Sequence, residues 1–153
     1  GPGAVTASQA SSATAMNVGT YRADPLHPRI VRAVDALLAR GKVVAPVDVL
    51  VSMDLLTADR LQAWRRGELP YLERVIECNL PRLSRLLRIL RFIAHDLNLQ
   101  PSPTVYLRQG KGGRLPLRFS KSGDPKLEQA YSTHFVWPGN GPFQRPASPE
   151  VLS

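Results

Sequence analysis

Basic side chains are concentrated in forty consecutive residues of this 153-residue chain, from Arg82 to Lys121. The segment holds nine Lys or Arg residues and one acid, Asp96, whereas the other 113 residues hold eleven basic and eleven acidic residues. The whole net charge of +8 therefore comes from one segment. Such local charge is typical of a site for a polyanionic partner, and an ordinary solvated surface is the alternative. The nine residues are Arg82, Arg85, Arg88, Arg91, Arg108, Lys111, Arg114, Arg118 and Lys121.

Three of these arginines recur at three-residue spacing in a helix predicted from Pro81 to about Asn98. At 100° per residue, its apolar side chains fall within one arc of about 160°, which we expect to be buried. That arc contains Leu83, Leu86, Leu87, Ile89, Leu90, Ile93, Ala94 and Leu97. Arg85, Arg88 and Arg91 lie on the opposite arc, spaced to reach successive phosphates. The alternative is that they form ion pairs with acids of the preceding segment, namely Glu68, Glu73 and Glu77.

A change from helical period to period two after Pro103 predicts a β-hairpin, with strands at 105–108 and 114–119. Alternation places Tyr106 with Arg108, Arg114 and Arg118 on one face. The opposite, apolar face holds Val105, Leu107, Leu115, Leu117 and Phe119. Pro116 lacks an N–H donor, so its strand should be irregular there.

The tip of this hairpin carries Lys111 among three glycines. A basic, glycine-rich tip is typical of the wing of a winged helix, which meets a DNA backbone or a minor groove. An exposed Tyr106 could stack on an unpaired base. The alternative is that the charges only prevent edge-to-edge strand pairing.

Two short helices are predicted at residues 46–53 and 57–66, with Thr57 as the N-cap of the second and Gly67 as its end. The pattern is carried by Leu50, Val51, Leu56, Thr57, Leu61, Trp64 and Gly67. This segment resembles the helix-turn-helix of Cro- and repressor-type DNA-binding domains. It departs from them where Asp54 stands in place of a turn glycine and where Asp59 lies at the start of the second helix. The resemblance implies a DNA-reading helix that presents Arg60, Gln62 and Arg66, and plain scaffolding is the alternative.

The remaining patterns predict one folded domain at residues 21–136, between a flexible leader at 1–20 and a Pro/Gly-rich tail at 137–153. Further helices are predicted from Pro28 to Gly41, from Pro70 to about Asn79, and from Pro125 to Ser132 with Asp124 as cap. The predicted fold class is mainly α with a C-terminal β-hairpin (α+β), a helix-turn-helix or winged-helix-like domain with disordered termini.

Residues for enzymatic or metal chemistry are sparse. His27, His95 and His134 are far apart and lack metal-ligand spacing, and Cys78 has no catalytic motif around it. We therefore expect no enzyme, metal or cofactor, with a small nuclease based on His95 or His134 as the alternative. The loop at residues 120–124 could hold one phosphate, unless its residues serve only as a turn and helix cap. No apolar run of membrane-spanning length and no signal peptide are apparent, so we expect a cytoplasmic protein.

Together these patterns predict a nucleic-acid-binding module, with duplex DNA favoured over RNA, such as a transcriptional regulator or a DNA-associated accessory factor. The alternative is an adaptor that docks an acidic protein surface, with the tail from Trp137 as a ligand for a groove. The predicted contact residues are Arg60, Gln62, Arg66, Arg85, Arg88, Arg91, Tyr106, Arg108, Lys111, Arg114, Arg118 and Lys121.

Overall fold

A computed structural model describes residues 20–110 and 113–146. The predicted leader up to residue 19, the tail from residue 147, and Lys111 lie outside the described residues. The helices are α1 (Leu26–Arg40), α2 (Pro46–Ser52), α3 (Ala58–Arg65), α4 (Leu80–Asp96) and α5 (Pro125–Ser132). The strands are β1 (Val43–Val44), β2 (Gln100–Pro103) and β3 (Thr133–Val136), and 3₁₀ turns lie at Tyr21–Ala23 and Leu72–Val75. The fold is therefore α+β, and no helix of the described residues is long and apolar enough to cross a membrane.

The amphipathic pattern of α4 is confirmed by its burial. Every residue of the predicted apolar arc is less than a tenth exposed. The helix packs against α1, which buries the matching face from Leu26 to Leu38. Asn79 caps α4, because its side-chain oxygen accepts from the Arg82 N–H at 2.9 Å. The arginines of α4 consequently lie on its exposed side.

The helix predicted at residues 70–79 is wrong, since only a 3₁₀ turn forms there. The backbone N–H groups of Leu72 and Glu73 donate to the carbonyls of Arg118 (3.2 Å) and Phe119 (2.9 Å). In a helix that begins at Pro70, the N–H groups of Leu72 and Glu73 would lie in the first turn and would need no acceptor within the helix. The N–H of Glu77 would need one, but it donates to Leu55 O at 2.8 Å. Tertiary hydrogen bonds therefore replace the predicted helix.

A three-stranded antiparallel sheet in the order β1-β3-β2 was not predicted. Phe135 of the central strand β3 pairs with Val44 of β1 on one side and with Pro101 of β2 on the other. The two prolines of β2 are tolerated because that strand is an edge. The sheet joins the end of α4 to the end of α5, and so fixes the position of α5 beside α4.

The predicted hairpin is present only as a narrow, irregular loop. One bridge joins Leu107 to Pro116, and it is flanked by hydrogen bonds from Arg108 N to Leu115 O (2.8 Å) and from Leu117 N to Tyr106 O (2.7 Å). The irregularity agrees with the missing donor of Pro116.

The predicted faces of the hairpin are wrong for Tyr106, Val105 and Leu115, whereas Phe119 is buried and Arg114 and Arg118 are exposed, as predicted. Tyr106 is 8% exposed, whereas Val105 and Leu115 are 71% and 59% exposed. The Tyr106 ring packs 5.6 Å from the Trp64 ring and 5.2 Å from the Phe119 ring, measured between centroids. Burial of a large aromatic ring stabilises more than burial of a valine, so the ring takes the inner face. Tyr106 is therefore not available to stack on a nucleic-acid base.

The described part of the tail, residues 137–146, forms no helix or strand but returns to the domain. The Trp137 N–H donates to Lys42 O at 2.8 Å, and the Trp137 ring packs edge-on against Phe143 at 5.1 Å. Arg145 forms an ion pair with Asp35 of α1. These contacts extend the packed part of the chain beyond residue 136.

Candidate nucleic-acid interface

The helices α2 and α3 are joined by a turn in which Asp54 has φ = 61°. This left-handed conformation favours glycine, and aspartate is among the few other residues that adopt it readily. Asp54 thus adopts a backbone conformation that is more often adopted by glycine. Thr57 then caps α3 by accepting from the Arg60 N–H at 3.2 Å, as predicted.

The hairpin is fastened to the C-terminal end of α3. The Gln109 N–H donates to Arg65 O at 2.8 Å, and the Trp64 indole N–H donates to Arg118 O at 2.7 Å. Gly67, with φ = +81°, lies directly under the Arg108 side chain, where an added Cβ would be 2.2 Å from Arg108 Cδ. These contacts therefore join the base of the hairpin and the C-terminal end of α3 into one unit.

The solvent side of this unit is mixed in charge. Arg60 and Gln62 on α3 and Arg114 on the hairpin are exposed. Arg66 is also exposed, but its Nε donates to Glu68 Oε2 at 2.6 Å, and this hydrogen bond raises the pKa of Arg66 and lowers that of Glu68. Among the described residues, the side chains of Arg60 and Gln62 form no ion pair or side-chain hydrogen bond like that of Arg66.

Two predicted contact residues of the hairpin are used within the fold instead. The Arg118 guanidinium donates to Ser120 O at 2.8 Å and to Lys121 O. Arg108 is half-buried and donates to Gly113 O at 3.4 Å. Both side chains stabilise loop backbone, which limits their reach toward a phosphate. The side chain of Lys121 is exposed, while its backbone N–H donates to Glu73 Oε1 at 2.9 Å.

The loop at residues 120–124 has its backbone donors occupied. Gly123 N donates to Ser120 Oγ at 2.9 Å, and Asp124 N donates to Ser122 Oγ at 3.2 Å. Asp124 in turn caps α5, because its Oδ2 accepts from Leu127 N at 3.1 Å. Turn and cap chemistry therefore accounts for these hydrogen bonds, in agreement with the alternative to a phosphate site.

Two half-buried carboxylates hold the loop in place, and neither was predicted to do so. Glu128 accepts from the N–H groups of Phe119 (2.9 Å) and Ser120 (2.7 Å). Glu73 accepts from the Tyr131 hydroxyl at 2.7 Å. Burial of Tyr131 is the main reason that its pKa lies far above its usual range, and the hydrogen bond to Glu73 raises the pKa further. The sequence feature that could have indicated these roles is that Glu73 and Glu128 stand within segments of otherwise apolar, helical pattern.

Arg85 of α4 forms an ion pair within the fold. Its Nε donates to Asp24 Oδ2 at 2.7 Å, and not to Glu68, Glu73 or Glu77, the acids named in the alternative. Burial alone would raise the pKa of Asp24, but the hydrogen bonds from Leu26 N–H and Arg85 together lower it. Arg88 and Arg91 line a groove between α4 and α5 with a volume of about 640 Å³. No residue of α3 or of the described part of the hairpin lines that groove, so the basic residues fall into two groups.

The histidines do not form a familiar catalytic arrangement. His134 Nε2 lies 2.7 Å from the Tyr106 hydroxyl, at a cavity of about 250 Å³ that Asp48 and Arg65 also line. Burial lowers the pKa of His134 and raises that of Tyr106 to about 12. His95 is exposed at the α4–α5 groove. Within residues 20–110 and 113–146, no three His, Cys, Asp or Glu side chains are grouped as metal ligands would be.

No protein-family model, curated protein or solved structure matches the chain. Its function must therefore be inferred from the geometry of these two groups of basic residues.

Proposed function

We propose that this protein binds duplex DNA, with α3 in the major groove and the hairpin as a wing on the adjacent backbone. Such a module would serve a transcriptional regulator or a DNA-associated accessory factor. The observation that supports the proposal is the hydrogen bond from Gln109 N to Arg65 O, which fixes the hairpin beside the end of α3. In a winged helix, the recognition helix and the wing likewise act on one stretch of DNA.

The residues assigned to contact DNA are Arg60, Gln62 and Arg114, together with Lys111, which is assigned from the sequence alone. Arg60 and Gln62 come from the first two turns of α3, which is the part of a recognition helix that reaches base edges. Arg114 supplies a phosphate contact. Asp59 weakens the positive field here, but its carboxylate can accept from a cytosine amino group.

Fewer phosphate contacts follow from this assignment than from the sequence alone. Arg88 and Arg91 lie in the other group, and Arg108 and Arg118 hold loop backbone. With the three cations Arg60, Lys111 and Arg114 as contacts, the slope of log K against log salt concentration should be about −3, since each neutralised phosphate contributes about −0.9.

The test uses two variants with equal charge change. Binding to a labelled random duplex, to single-stranded DNA and to RNA is measured by fluorescence anisotropy at about 50 and about 200 mM salt. Arg60→Glu/Arg114→Glu should weaken duplex binding at least about tenfold and reduce the salt slope by about 2. Arg88→Glu/Arg91→Glu, the matched control, should leave most of the affinity in place.

Two results would contradict the proposal. One is the absence of binding to all three nucleic acids at the lower salt concentration. The other is an equal loss for both double variants, because this would mean that only net charge matters and that α3 and the hairpin form no specific surface.

A further inference from the structure

The groove between α4 and α5 combines an apolar floor with a basic rim. Leu87 of α4, Leu99 and Phe135 line the floor, and Leu127 and Ala130 of α5 line the facing wall. The floor residues are each less than a tenth exposed, while the two α5 residues are half-buried. A cavity of about 640 Å³ with such a lining accommodates several apolar side chains of a partner.

The cations on the rim are not neutralised within the described residues. Arg88, Arg91 and Lys126 are exposed, and none of them forms an ion pair there, whereas Arg85 one turn earlier pairs with Asp24. The acid at this groove is Asp124, whose carboxylate is engaged in capping α5. The rim therefore has an excess positive charge directly above the apolar floor.

We propose that this groove binds an amphipathic helix of a partner protein that carries acidic side chains one turn apart beside large apolar ones. Arg88 and Arg91 are separated by about 4.5 Å along the axis of α4, from the rise of 1.5 Å per residue. Acids at positions i and i+3 or i+4 of a bound helix are about 5–6 Å apart and match this separation. The apolar face of the same helix fills the floor, as in other helix-in-groove complexes.

The floor argues for a protein partner over a nucleic acid. A phosphate backbone would satisfy the arginines but would leave the half-buried apolar side chains of Leu127 and Ala130 without an apolar partner. Nucleic-acid grooves that bind single strands offer exposed aromatic rings for base stacking. Here the aromatic residue of the floor, Phe135, is only 6% exposed.

The experiment is a selection of helical peptides of about three turns from a displayed random library against the full chain. We expect the enriched peptides to carry Asp or Glu at one-turn spacing beside Leu, Ile or Phe. Synthetic copies should bind Arg88→Glu/Arg91→Glu at least about tenfold more weakly and Arg88→Gln/Arg91→Gln more weakly by a smaller factor. Arg60→Glu/Arg114→Glu is the matched control and should bind the peptides normally.

Amide chemical shifts then locate the peptides on the protein. Changes should be centred on Leu99, Leu127 and Ala130, and circular dichroism verifies that the variants remain folded. The proposal is overturned by an unenriched library, by enriched peptides without acids, or by peptides that bind the Arg88→Glu/Arg91→Glu variant as well as the original. Since the DNA surface uses other residues, these outcomes do not depend on whether DNA is bound.

Discussion

Substitution of Gly67 by alanine should break the junction between α3 and the hairpin through two separable effects. The first is conformational, because Gly67 has φ = +81°, where an L residue costs about 1–2 kcal/mol. The second is steric, because the new Cβ would lie 2.2 Å from Cδ and 2.8 Å from Cγ of Arg108. Moving the Arg108 side chain away requires an unfavourable rotamer or lost packing, about 0.5–1.5 kcal/mol. We expect Gly67→Ala to destabilise the fold by about 1.5–3.5 kcal/mol in total.

A double-mutant cycle separates the two effects. The three atoms nearest to the added Cβ all belong to Arg108, so Arg108→Ala removes the clash but not the strained φ. In the Arg108→Ala background, Gly67→Ala should cost only about 1–2 kcal/mol. Gly141→Ala is the control for φ alone, because Gly141 has φ = +79° and an added Cβ would meet nothing within 4 Å.

The original protein, Gly67→Ala, Arg108→Ala, the double variant and the control Gly141→Ala are compared by urea denaturation, followed by the fluorescence of Trp64 and Trp137. With an urea m-value of about 1–3 kcal/mol/M, the expected differences move the transition midpoint by measurable amounts. Strict additivity of the two substitutions would show that Arg108 does not lie over Gly67. A cost for Gly67→Ala no larger than that for Gly141→Ala would refute the steric part of the reasoning.

Three further outcomes are expected. Thr57→Ala removes the acceptor of the Arg60 N–H and should cost about 1 kcal/mol, measured by the same denaturation. Leu86→Ala empties a fully buried site of α4 and should cost about 2–5 kcal/mol, and a cost near zero would contradict the assigned core. Burial lowers the pKa values of His27 and His134 below the usual 6.5. The free energy of unfolding should therefore be highest above pH 6.5 and decrease as the pH falls through the pKa values of the folded state, because the unfolded chain then binds more protons. His27→Gln/His134→Gln should flatten this decline, and an unchanged pH profile in that variant would contradict the assignment.

The elements that the sequence predicts well are those with a local physical signal. The buried arc of α4 follows from its 3.6-residue period, because an amphipathic helix has only one face it can bury. The caps at Thr57 and Asp124 follow from side-chain oxygens placed to accept from a first-turn N–H. These interactions lie within a few residues of each other, so neighbours in the sequence suffice to predict them.

The features that were missed depend on partners distant in the sequence. The strands β2 and β3 pair across the whole hairpin and α5, so no single tight turn connects them. Arg85 finds its acid in Asp24, 61 residues earlier, and not in the segment that precedes it. Burial alternates with period two in the first hairpin strand, but the sequence cannot tell which side the aromatic cluster of Trp64 and Phe119 will cover. In the second strand the alternation fails, because Leu115 is exposed although Phe119, predicted on the same face, is buried.

The division of the basic residues changes what the net charge of +8 implies about function. Sequence position joins the arginines of α4 to those of the hairpin, but the fold gives the two groups different neighbours: α5 for one and α3 for the other. One group lies above an apolar floor, which a protein helix can fill, whereas the other is mixed with polar side chains beside a capped helix start. Reversal of two arginines in either group changes the net charge by the same amount. Each double variant is therefore the control for the other, and a difference in what they stop binding can come only from the surfaces and not from the total charge.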